Sequence, residues 1–461
     1  MTRVAIAGGG ISGLSAAFAL EQHRRTANPN LEYTVFESSP RLGGVLRTER
    51  VDGCIVEAGP DSFLTEKPWA TELCQSAGIG DQLIGSNDAA RKTYILRAGR
   101  LVEIPDGLMF MIPTKIFPTL LSPLFSWKTK LRMAREFFRA PAAAPDDEGV
   151  ASLVTRHYGE EMVDRLADPL LSGIYGGSAS DLSVRAVMPR FAEMERAHGS
   201  LSRAMLQARK KIPQSNAQRP LFTSLKNGME QLVQAVVSWL SPSSLRTSTA
   251  VHAIRPEANG WTISAGEQTE RFDALTLALP AHAAARLLRE CAPQLAGELS
   301  AIAYTSSLTV ALGFDANVRR TLPPGFGFLV PCSEGKRMLA ATFVHNKFPH
   351  RAPADRALLR CFFSGADADA IGQQSDAQIV EVVREELRQI LGMRAAPLFA
   401  RVYKWKSAMA QYGIGHLDRL DRIETLRRQL PRLALAGNGY RGIGIPDCVR
   451  TGRDAANQIL S

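Results

Sequence analysis

The hydrophobic pattern opens with a short apolar run at residues 4–7, followed by consecutive glycines and then by small and apolar residues at 14–20. A run of this kind predicts a buried parallel strand, and the later segment is typical of a helix packed on a sheet. Residues 33–37 predict a second strand, which ends in the acidic residue Glu37. The chain is therefore expected to begin as strand, glycine turn, helix and strand.

Two later segments predict a second sheet. Residues 91–104 are expected to form a hairpin that turns near Ala98 and Gly99. Between residues 300 and 410 polar and apolar positions alternate. This alternation favours a largely antiparallel sheet with one exposed face.

Spacing and turn residues indicate the other elements. They predict a helix over 150–166, a flexible crossing over 208–220, a helix opening at 225–232, and strands near 247–254, 261–264 and 274–279. From residue 433 a buried strand, a glycine loop and a helix recur. The C-terminal region thus repeats the arrangement at the start, and its loop would lie beside the first turn.

The glycines Gly8, Gly10 and Gly13 have the G-x-G-x-x-G spacing of a dinucleotide-binding turn. Gly8 permits a tight turn, Gly10 lets a pyrophosphate approach the backbone, and Gly13 lets helix and strand pack closely. The helix N-terminus adds amide donors, and Glu37 can accept hydrogen bonds from a ribose diol. We predict a dinucleotide site; the alternative is a structural turn with a strand-terminal glutamate.

Length and charge narrow the class of protein. A chain of 461 residues exceeds the roughly 250–300 residues that one core usually serves, so two or three domains are expected. The net charge of +10 suggests an anionic partner, which is a nucleic acid, an acidic membrane surface or an anionic substrate. Basic residues are scattered and no nucleic-acid-binding motif occurs, so we expect no nucleic-acid partner.

The six cysteines include no C-x-x-C pair, which argues against a metal site and a disulfide framework. The nucleotide strand begins close to residue 1 and leaves no room for a signal peptide, so a cytoplasmic location is expected. No Ser-His-Asp, Cys-His or paired-carboxylate arrangement is identified, and the catalytic residues stay unknown. His282 is expected to be a surface residue at a helix start, and Cys448 a packed thiol.

Two more loops, at 38–44 and 57–63, contain glycine, proline and serine, which leave the backbone accessible. Both loops are expected to close over a cofactor. Arg41 would neutralise phosphate, with a plain loop and a surface arginine as the alternative. The segments GGGISGL, ESSPRLGG and GPDSF resemble the flavin-dependent protoporphyrinogen oxidase family, within the wider group of amine oxidases and phytoene desaturases. SGIYGG at 172–177 and GIPDC at 444–448 are also similar to that family.

The resemblance implies FAD as the cofactor, and no second strand-turn-helix fingerprint suggests a separate nicotinamide coenzyme. The expected cofactor-binding residues are Gly8, Gly9, Gly10, Ile11, Ser12, Gly13, Glu37, Ser38, Arg41, Gly43, Gly44, Val45, Gly59, Pro60, Asp61, Ser62, Val251, Gly442, Ile443, Gly444 and Ile445. Substrate contacts implied by the resemblance are Arg91 or Lys92, for a propionate, and Gly173, for the porphyrinogen pocket. Solvated surface charges and a helix-ending turn are the alternatives.

The predicted fold class is α/β (α+β overall). It combines a discontinuous Rossmann-like FAD-binding domain, a mixed β-sheet substrate domain and a helical membrane-associating subdomain. The expected bounds are 1–90, 208–290 and 411–461 for the first domain, 91–104 and 291–410 for the second, and 105–207 for the helical subdomain.

Residues 105–141 carry the membrane prediction. Their apolar runs are interrupted by prolines, and none reaches the roughly 20 residues needed to cross a bilayer. The basic residues Lys115, Lys128, Lys130, Arg132, Arg135 and Arg139 surround Trp127, Phe137 and Phe138. This mixture suits an anionic membrane interface, and the resemblance implies a monotopic membrane-binding domain here. A buried helical subdomain is the alternative.

The function expected from the resemblance is oxidation of protoporphyrinogen IX to protoporphyrin IX in heme biosynthesis, with molecular oxygen as acceptor and hydrogen peroxide as product. The alternatives are a coproporphyrinogen III oxidase of the same fold, an amine oxidase or carotenoid desaturase, and a non-catalytic flavin-binding scaffold. The enzyme is expected on the cytoplasmic face of a membrane as a peripheral protein. A homodimer stays open.

Overall fold

The computed structural model describes residues 2–109, 111–141, 145–211 and 220–461. Its strands, numbered in chain order, are β1 (Thr2–Ala7), β2 (Leu31–Phe36), β3 (Thr48–Val51), β4 (Cys54–Glu57), β5 (Phe63–Leu64), β6 (Leu83–Gly85), β7 (Thr93–Arg97), β8 (Arg100–Glu103), β9 (Leu108–Met109), β10 (Ile112–Pro113), β11 (Phe222–Leu225), β12 (Leu245–Arg246), β13 (Val251–Glu257), β14 (Gly260–Ala265), β15 (Gln268–Phe272), β16 (Ala274–Leu277), β17 (Tyr304–Asp315), β18 (Gly327–Leu329), β19 (Ala340–Phe343), β20 (Arg356–Ser364), β21 (Phe399–Ala410) and β22 (Leu433–Leu435). The helices are α1 (Ile11–Thr26), α2 (Trp69–Ser76), α3 (Ile116–Leu121), α4 (Trp127–Glu136), α5 (Val150–Tyr158), α6 (Glu160–Met162), α7 (Asp168–Tyr175), α8 (Val184–Val187), α9 (Pro189–His198), α10 (Leu201–Lys211), α11 (Glu230–Trp239), α12 (Ala281–Leu288), α13 (Pro293–Ser300), α14 (Val344–Lys347), α15 (Gly365–Gly372), α16 (Asp376–Leu391), α17 (His416–Arg427) and α18 (Ile445–Leu460).

The first sheet is five-stranded, in the order β12-β2-β1-β16-β22, and every pairing in it is parallel. Val4 in β1 pairs with Tyr33 on one side and with Ala274 on the other. Parallel sheets need cover on both faces. Here α1, α11 and α18 cover one face. The antiparallel sheet β13-β14-β15 and helices α12, α13 and α17 cover the other.

Sequence patterns located these elements well, with differences at their ends. The strand expected near 247–254 begins only at Val251 and continues to Glu257. Strand β15 was not predicted, and it completes the small sheet beside β14. The helix expected from 225–232 begins at Glu230, because residues 222–225 pair with β6 as strand β11.

The second sheet is seven-stranded, in the order β21-β17-β20-β19-β18-β7-β8, and only β18 and β7 pair in parallel. The predicted hairpin is confirmed, since Ala98 and Gly99 at its turn have φ of 48° and 72°. The expected exposed face was wrong. In β17, Val310 packs on the side of α16, while Ala311 packs against β4 on the opposite side. Neighbouring elements therefore cover both faces at the centre.

Helices α4 to α10 pack around a further apolar core, which reaches the second sheet through Ile95. The helix predicted over 150–166 is interrupted, because Gly159, at φ 94°, ends α5 before α6 and a π-helical turn at Val163–Ala167. The predicted crossing was wrong at 208–211, where α10 continues, and its residues 212–219 lie outside the described residues. None of the helices in the described ranges is long and apolar enough to span a membrane.

A buried ion pair joins β4, which pairs with β3 in a separate two-stranded sheet, to the segment between α14 and β20. Arg351 Nη1 donates to Glu57 Oε1 over 2.7 Å, and both side chains are almost fully buried. Arg351 also donates to Ser224 Oγ and to the carbonyl oxygen of Leu225. Burial raises the pKa of Glu57, and the nearby guanidinium of Arg351 opposes this shift. Because Glu57 ends β4, the pair fixes the start of the loop that follows.

Candidate functional site

Two turns open at the carboxyl edge of the five-stranded sheet, where ligands of open α/β sheets bind. One turn follows β1 and leads into α1, and the other follows β22 and leads into α18. The two helices pack closely, and a Cβ on Gly452 would lie 2.1 Å from the carbonyl oxygen of Ser12. The sheet therefore brings both glycine segments predicted from the sequence to one edge.

The glycines of the first turn have different surroundings. Gly8 has φ of 109°, and a Cβ there would lie 2.3 Å from the carbonyl oxygen of Ala278. A Cβ on Gly13 would lie 1.9 Å from the carbonyl oxygen of Gly8. A Cβ on Gly10 would meet nothing within 4 Å. Gly8 and Gly13 thus serve the turn and its packing, whereas Gly10 borders open space.

Glu37 follows β2 and faces this turn. Its Oε2 accepts a hydrogen bond from the amide of Gly9 at 2.8 Å, and its Oε1 accepts one from the amide of Ser39 at 2.8 Å. The carbonyl oxygen of Glu37 accepts from the amide of Thr249, which places the start of β13 and Val251 on the same side. Oε1 also accepts from Ser38 Oγ at 3.3 Å, so the acceptor position left for a ribose hydroxyl is on Oε2, which has one partner among the described residues.

The loop at 41–46 lies directly against the first turn. The amide of Gly43 donates to the carbonyl oxygen of Gly9 at 2.8 Å. A Cβ on Gly44 would lie 3.3 Å from the Cα of Gly10. Two glycine segments therefore border the same space.

Arg41 turns towards its own loop. Its Nη1 donates to the carbonyl oxygens of Leu42 and Leu46, at 3.0 and 2.9 Å, and its Nη2 donates to that of Gly44. In this structure the guanidinium fixes the shape of the loop. Contact with phosphate stays a prediction, as it does for the exposed Ser38 beside this loop.

The next loop, at 59–62, meets the 41–46 loop through Val45, because a Cβ on Gly59 would lie 2.1 Å from the Val45 carbonyl oxygen. Pro60 is exposed, whereas Asp61 points inward and accepts from Ser62 Oγ at 2.6 Å. This loop thus continues the wall that the previous loop begins.

Two cations surround the Asp61 carboxylate. Lys347 Nζ lies 3.0 and 3.2 Å from its two oxygens, and Arg360 Nη1 lies 3.4 Å away. Burial alone would raise the pKa of Asp61, but the charges of Lys347 and Arg360 hold it well below its ordinary value. Asp61 is therefore ionised, and the cluster has a net positive charge.

The C-terminal turn opens α18. Gly442 has φ of 105°, Gly444 occupies the N-cap without a side-chain hydrogen bond, and Ile443 and Ile445 lie beside it. Asp447 packs beneath this turn, and its Oδ2 accepts from Lys67 Nζ at 2.6 Å. Lys67 comes from the segment between β5 and α2, so this ion pair connects distant parts of the chain.

Helix α7 places Gly173 in open surroundings, since a Cβ there would meet nothing within 4 Å. Ile174, next to it, is 45% exposed. Gly176, at φ of 70°, ends the helix, as the alternative interpretation of this segment expected. Burial raises the pKa of Tyr175 to about 12, with a smaller contribution from the charge of Asp447. The Tyr175 ring lies 6.1 Å from that of Tyr412, whose hydroxyl accepts from the amide of Gly442, so α7 ends close to the C-terminal turn.

Arg91 and Lys92 are both exposed and paired with acids of the same surface. Arg91 lies 3.8 Å from Asp88, and Lys92 lies 3.1 Å from Glu103. A substrate carboxylate would have to replace these partners. Their proposed substrate role stays a prediction, and the structure offers Lys67 as a further candidate.

His282 differs from its sequence expectation. It is half-buried at the start of α12, with its ring edge-to-face against Tyr304 at 4.9 Å between centroids. Burial lowers its pKa, and the charge of Arg286 adds to this effect. Cys448 is a packed thiol, as expected, and burial raises its pKa to about 12.

The residues at this edge fit a flavin dinucleotide. Gly10 leaves space at the N-terminus of α1, which has no side-chain cap and no acid in its first turn. Such a terminus favours a pyrophosphate. Sequence analysis missed Lys67, Lys347, Arg360 and Tyr412, whose partners lie far along the chain. Two sequence signals were available: Lys347 directly precedes FPHRAP at 348–353, and Tyr412 lies in QYGIGH at 411–416, and both segments also resemble the porphyrinogen oxidase family.

Comparison with known proteins extends the match to nearly the whole chain. The family of flavin containing amine oxidoreductases matches residues 11–460. Coproporphyrinogen III oxidase of Bacillus subtilis is 33% identical, over 99% of this chain and 98% of its own. Mitochondrial protoporphyrinogen oxidase of Nicotiana tabacum is 27% identical, over 100% of this chain and 95% of its own.

A solved structure has the same fold. It is a crystal structure from Exiguobacterium sp. 255-15, provisionally named a protoporphyrinogen oxidase, with 31% sequence identity and a TM-score of 0.88. The alignment covers 99% of this chain and 98% of the other. Two glycine turns at one edge of a parallel sheet and a full-length match lead to one conclusion: this chain belongs to the flavin-containing amine oxidoreductase family, in its porphyrinogen oxidase branch.

Proposed function

We propose that this chain catalyses the FAD-dependent oxidation of protoporphyrinogen IX to protoporphyrin IX. Three two-electron steps remove six electrons and six protons, and three molecules of oxygen become three of hydrogen peroxide. The observation that carries the proposal is the alignment of 99% of this chain, at 31% identity, with a solved structure provisionally named a protoporphyrinogen oxidase. The chain's own residues would hold FAD and the porphyrinogen and orient them towards each other.

Bound FAD supplies the chemistry, because it accepts hydride equivalents and passes electrons to oxygen. The start of α1 and the space at Gly10 would receive the pyrophosphate, and Glu37 the adenosine ribose. The loops at 41–46 and 59–62 and the turn at 442–445 would enclose the ring system. The positive cluster around Asp61 would lie behind one of these walls and favour negative charge on the ring side.

The substrate side follows from the chemistry of a porphyrinogen, an apolar macrocycle with carboxylate arms. Gly173 and the exposed Ile174 of α7 offer an open apolar surface. Lys67 is 40% exposed beside Asp447, near the end of α7. A substrate carboxylate that replaces Asp447 as the partner of Lys67 would be held at the mouth of the site.

Coproporphyrinogen III is the second candidate substrate. The specific observation in its favour is the name of the 33% identical Bacillus subtilis relative. Coproporphyrinogen III carries four carboxylates, whereas protoporphyrinogen IX carries two, so its binding would need more basic contacts. Lys67, Arg91 and Lys92 are the candidate cations for these contacts.

Porphyrin fluorescence under air tests the proposal directly. Purified protein with FAD is supplied in parallel with protoporphyrinogen IX and coproporphyrinogen III, against a protein-free blank. Faster oxidation of the first supports the main proposal, and preference for the second moves the enzyme to the alternative substrate. If both rates equal the blank while FAD is bound, the enzymatic proposal fails and the flavin-binding scaffold remains.

We also propose that α3 and α4 contact an anionic membrane surface. Helix α4 buries Thr129, Met133 and Glu136, whereas Trp127 and Leu131 on its opposite side face solvent. Exposed fractions are 72% for Trp127, 82% for Leu121 and 81% for Phe138. An apolar stripe turned outwards is unusual for a monomeric surface and typical of an interaction site.

Basic residues lie on both sides of this stripe. At 100° per residue, Lys128 and Arg135 lie on one side of Trp127, and Lys130 lies on the other. Lys130 Nζ stands 4.7 Å above the Trp127 ring. This arrangement suits lipid phosphates above an acyl interior. It supports a peripheral location on the cytoplasmic face and the proposed division at residues 105–207.

Vesicle flotation tests the membrane proposal. Binding to vesicles that contain anionic phosphatidylglycerol should fall with salt, and Trp127→Ser with Leu131→Ser should abolish it. The matched control is Leu398→Ser, because Leu398 is 56% exposed on another part of the surface. Equal flotation of the double variant and the native protein would overturn the proposal, without affecting porphyrinogen oxidation.

A further inference from the structure

The segment at 411–416 lies between the C-terminal glycine loop and the end of α7. It follows β21 and leads into α17. None of its side chains belongs to the predicted cofactor or substrate contacts. Its hydrogen bonds nevertheless reach both of these regions.

Tyr412 is held to the glycine loop at two points. Its Oη donates to the carbonyl oxygen of Asn438 at 2.7 Å and accepts from the amide of Gly442 at 2.8 Å. These two residues bracket the loop between β22 and α18. A single hydroxyl therefore fixes the distance across the turn that presents Gly442 and Ile443.

His416 adds a third point of attachment. Its ring stacks on that of Tyr412, with 4.2 Å between centroids and 11° between planes. Its Nε2 lies 2.9 Å from the carbonyl oxygen of Tyr440 and donates to it. The stacked pair thus holds three backbone groups of one short loop.

The same segment holds the substrate side. Gln411 Nε2 donates to the carbonyl oxygen of Tyr175, the last residue of α7, at 2.5 Å. The amide of Ser183 donates to the carbonyl oxygen of Tyr412 at 2.8 Å. The rings of Tyr412 and Tyr175 lie 6.1 Å apart. A displacement of Tyr412 would therefore alter contacts with both the glycine loop and α7.

We propose that Tyr412 is a positioning residue, whose hydroxyl holds the C-terminal glycine loop in the shape that receives the flavin and sets this loop against α7. The inference deepens the proposed function and rests on it. Burial raises the pKa of Tyr412 well above its ordinary value, so the hydroxyl keeps its proton and stays a donor at working pH.

The test compares two tyrosines near the same loop. Tyr412→Phe keeps the stacked ring and removes only the doubly bonded hydroxyl. Tyr440→Phe is the matched control, because the Tyr440 hydroxyl is buried and has no hydrogen-bond partner among the described residues. We expect Tyr412→Phe to raise the dissociation constant of FAD roughly tenfold, as two lost hydrogen bonds imply. Tyr440→Phe should change it less than about twofold.

Two readouts separate positioning from general stability. A purely structural role would lower the unfolding midpoints of the apoprotein and the FAD-bound protein equally, whereas positioning reduces the gap between them. Gln411→Leu should raise KM for the porphyrinogen and leave FAD affinity unchanged. If Tyr412→Phe fails to fold, His416→Phe keeps the stack and should weaken FAD binding by roughly threefold, since it loses one hydrogen bond.

The outcomes also distinguish this inference from the proposed function. Native FAD affinity in both Tyr412→Phe and His416→Phe would overturn the inference, whatever the turnover. An equal loss in Tyr440→Phe would overturn it too, because that hydroxyl makes no bond to the loop. Absence of porphyrinogen oxidation by the native protein would remove the proposed function, while the comparison of FAD affinities would still decide whether Tyr412 sets the loop.

Discussion

The Nδ1 atom of His157 lies 3.0 Å from Oε1 of Glu136, and neither side chain is exposed to solvent. The other ring nitrogen lies 2.9 Å from Oε1 of Glu195. Each ring nitrogen therefore lies within hydrogen-bond distance of a carboxylate oxygen. Because these residues belong to α4, α5 and α9, one buried histidine ties together three helices, including the one that carries the exposed apolar stripe.

Loss of one carboxylate should destabilise this centre strongly. Glu136→Gln replaces one of the two buried carboxylates that contact His157 and disturbs the bond to the Leu201 amide, so the free energy of unfolding should fall by about 3–5 kcal/mol. Urea unfolding at pH 7 measures the change. Glu381→Gln, which breaks an exposed pair with Arg384 on α16, is the control and should cost less than about 1 kcal/mol. Equal costs would contradict the assignment.

The same cluster of Glu136, His157 and Glu195 predicts that the protein loses folding stability in acid. Burial alone would raise the pKa values of Glu136 and Glu195, but hydrogen bonds, from His157 to the first and from Arg156 and His157 to the second, lower both below the ordinary 4.5. Their stabilisation is therefore fully present above about pH 4.5 and is lost as the pH falls through the lowered values. Unfolding free energies between pH 7 and 3.5 should show this loss, with a shallower decline in Glu136→Gln.

The glycines of the first turn should respond differently to alanine. Gly10→Ala fits the protein itself, so folding should be retained, while the FAD dissociation constant should rise roughly tenfold to a hundredfold as phosphate contacts are lost. Gly13→Ala would force a Cβ against the Gly8 carbonyl oxygen and should destabilise the apoprotein by about 1–3 kcal/mol or more. Flavin fluorescence titration and thermal unfolding measure the two effects. Gly297→Ala, inside α13 with nothing within 4 Å, should leave FAD binding unchanged and should not destabilise the apoprotein, because alanine has the higher helix propensity.

Local patterns made this first turn predictable, because its strand, glycines and helix are adjacent in sequence and each position has its own steric requirement. The covered second face of β17 was not predictable, because Ala311 is buried by β4, a strand from the other end of the chain. For the same reason no spacing rule connects Lys67 with Asp447 or Tyr412 with Gly442. Sequence patterns give the elements and the nucleotide turn; the polar contacts between distant segments require the folded chain.

Substrate recognition should depend on Lys67 more than on Lys92. Lys67→Met removes a cation beside the C-terminal turn, and KM for the porphyrinogen should rise roughly tenfold or more, as for a lost charge-assisted hydrogen bond. Lys92→Met removes an exposed cation that is paired with Glu103, and KM should change less than about twofold. Steady-state kinetics with both porphyrinogens provides the measurement. A larger rise in KM for Lys92→Met than for Lys67→Met would instead indicate that the substrate carboxylate binds beside the β7–β8 hairpin.

The buried pair between Arg351 and Glu57 should tolerate no conservative exchange. Arg351→Lys keeps the charge but cannot reach Glu57, Ser224 and Leu225 together, so we expect a loss of about 3 kcal/mol or more in unfolding free energy. Arg384→Lys, at an exposed pair, is the matched control and should be nearly neutral. Urea unfolding at pH 7 decides between these results, and a neutral Arg351→Lys would show that the pair is dispensable.

The central sheet assembles its strands from widely separated regions, with β1 and β2 near one end of the numbering, β16 in the middle and β22 and α18 near the other. During translation, one edge of β16 therefore stays unpaired until the ribosome has passed β22. The two glycine turns at the carboxyl edge of this sheet therefore meet only after α18 has been made, and until then the nascent chain must persist with an open sheet edge.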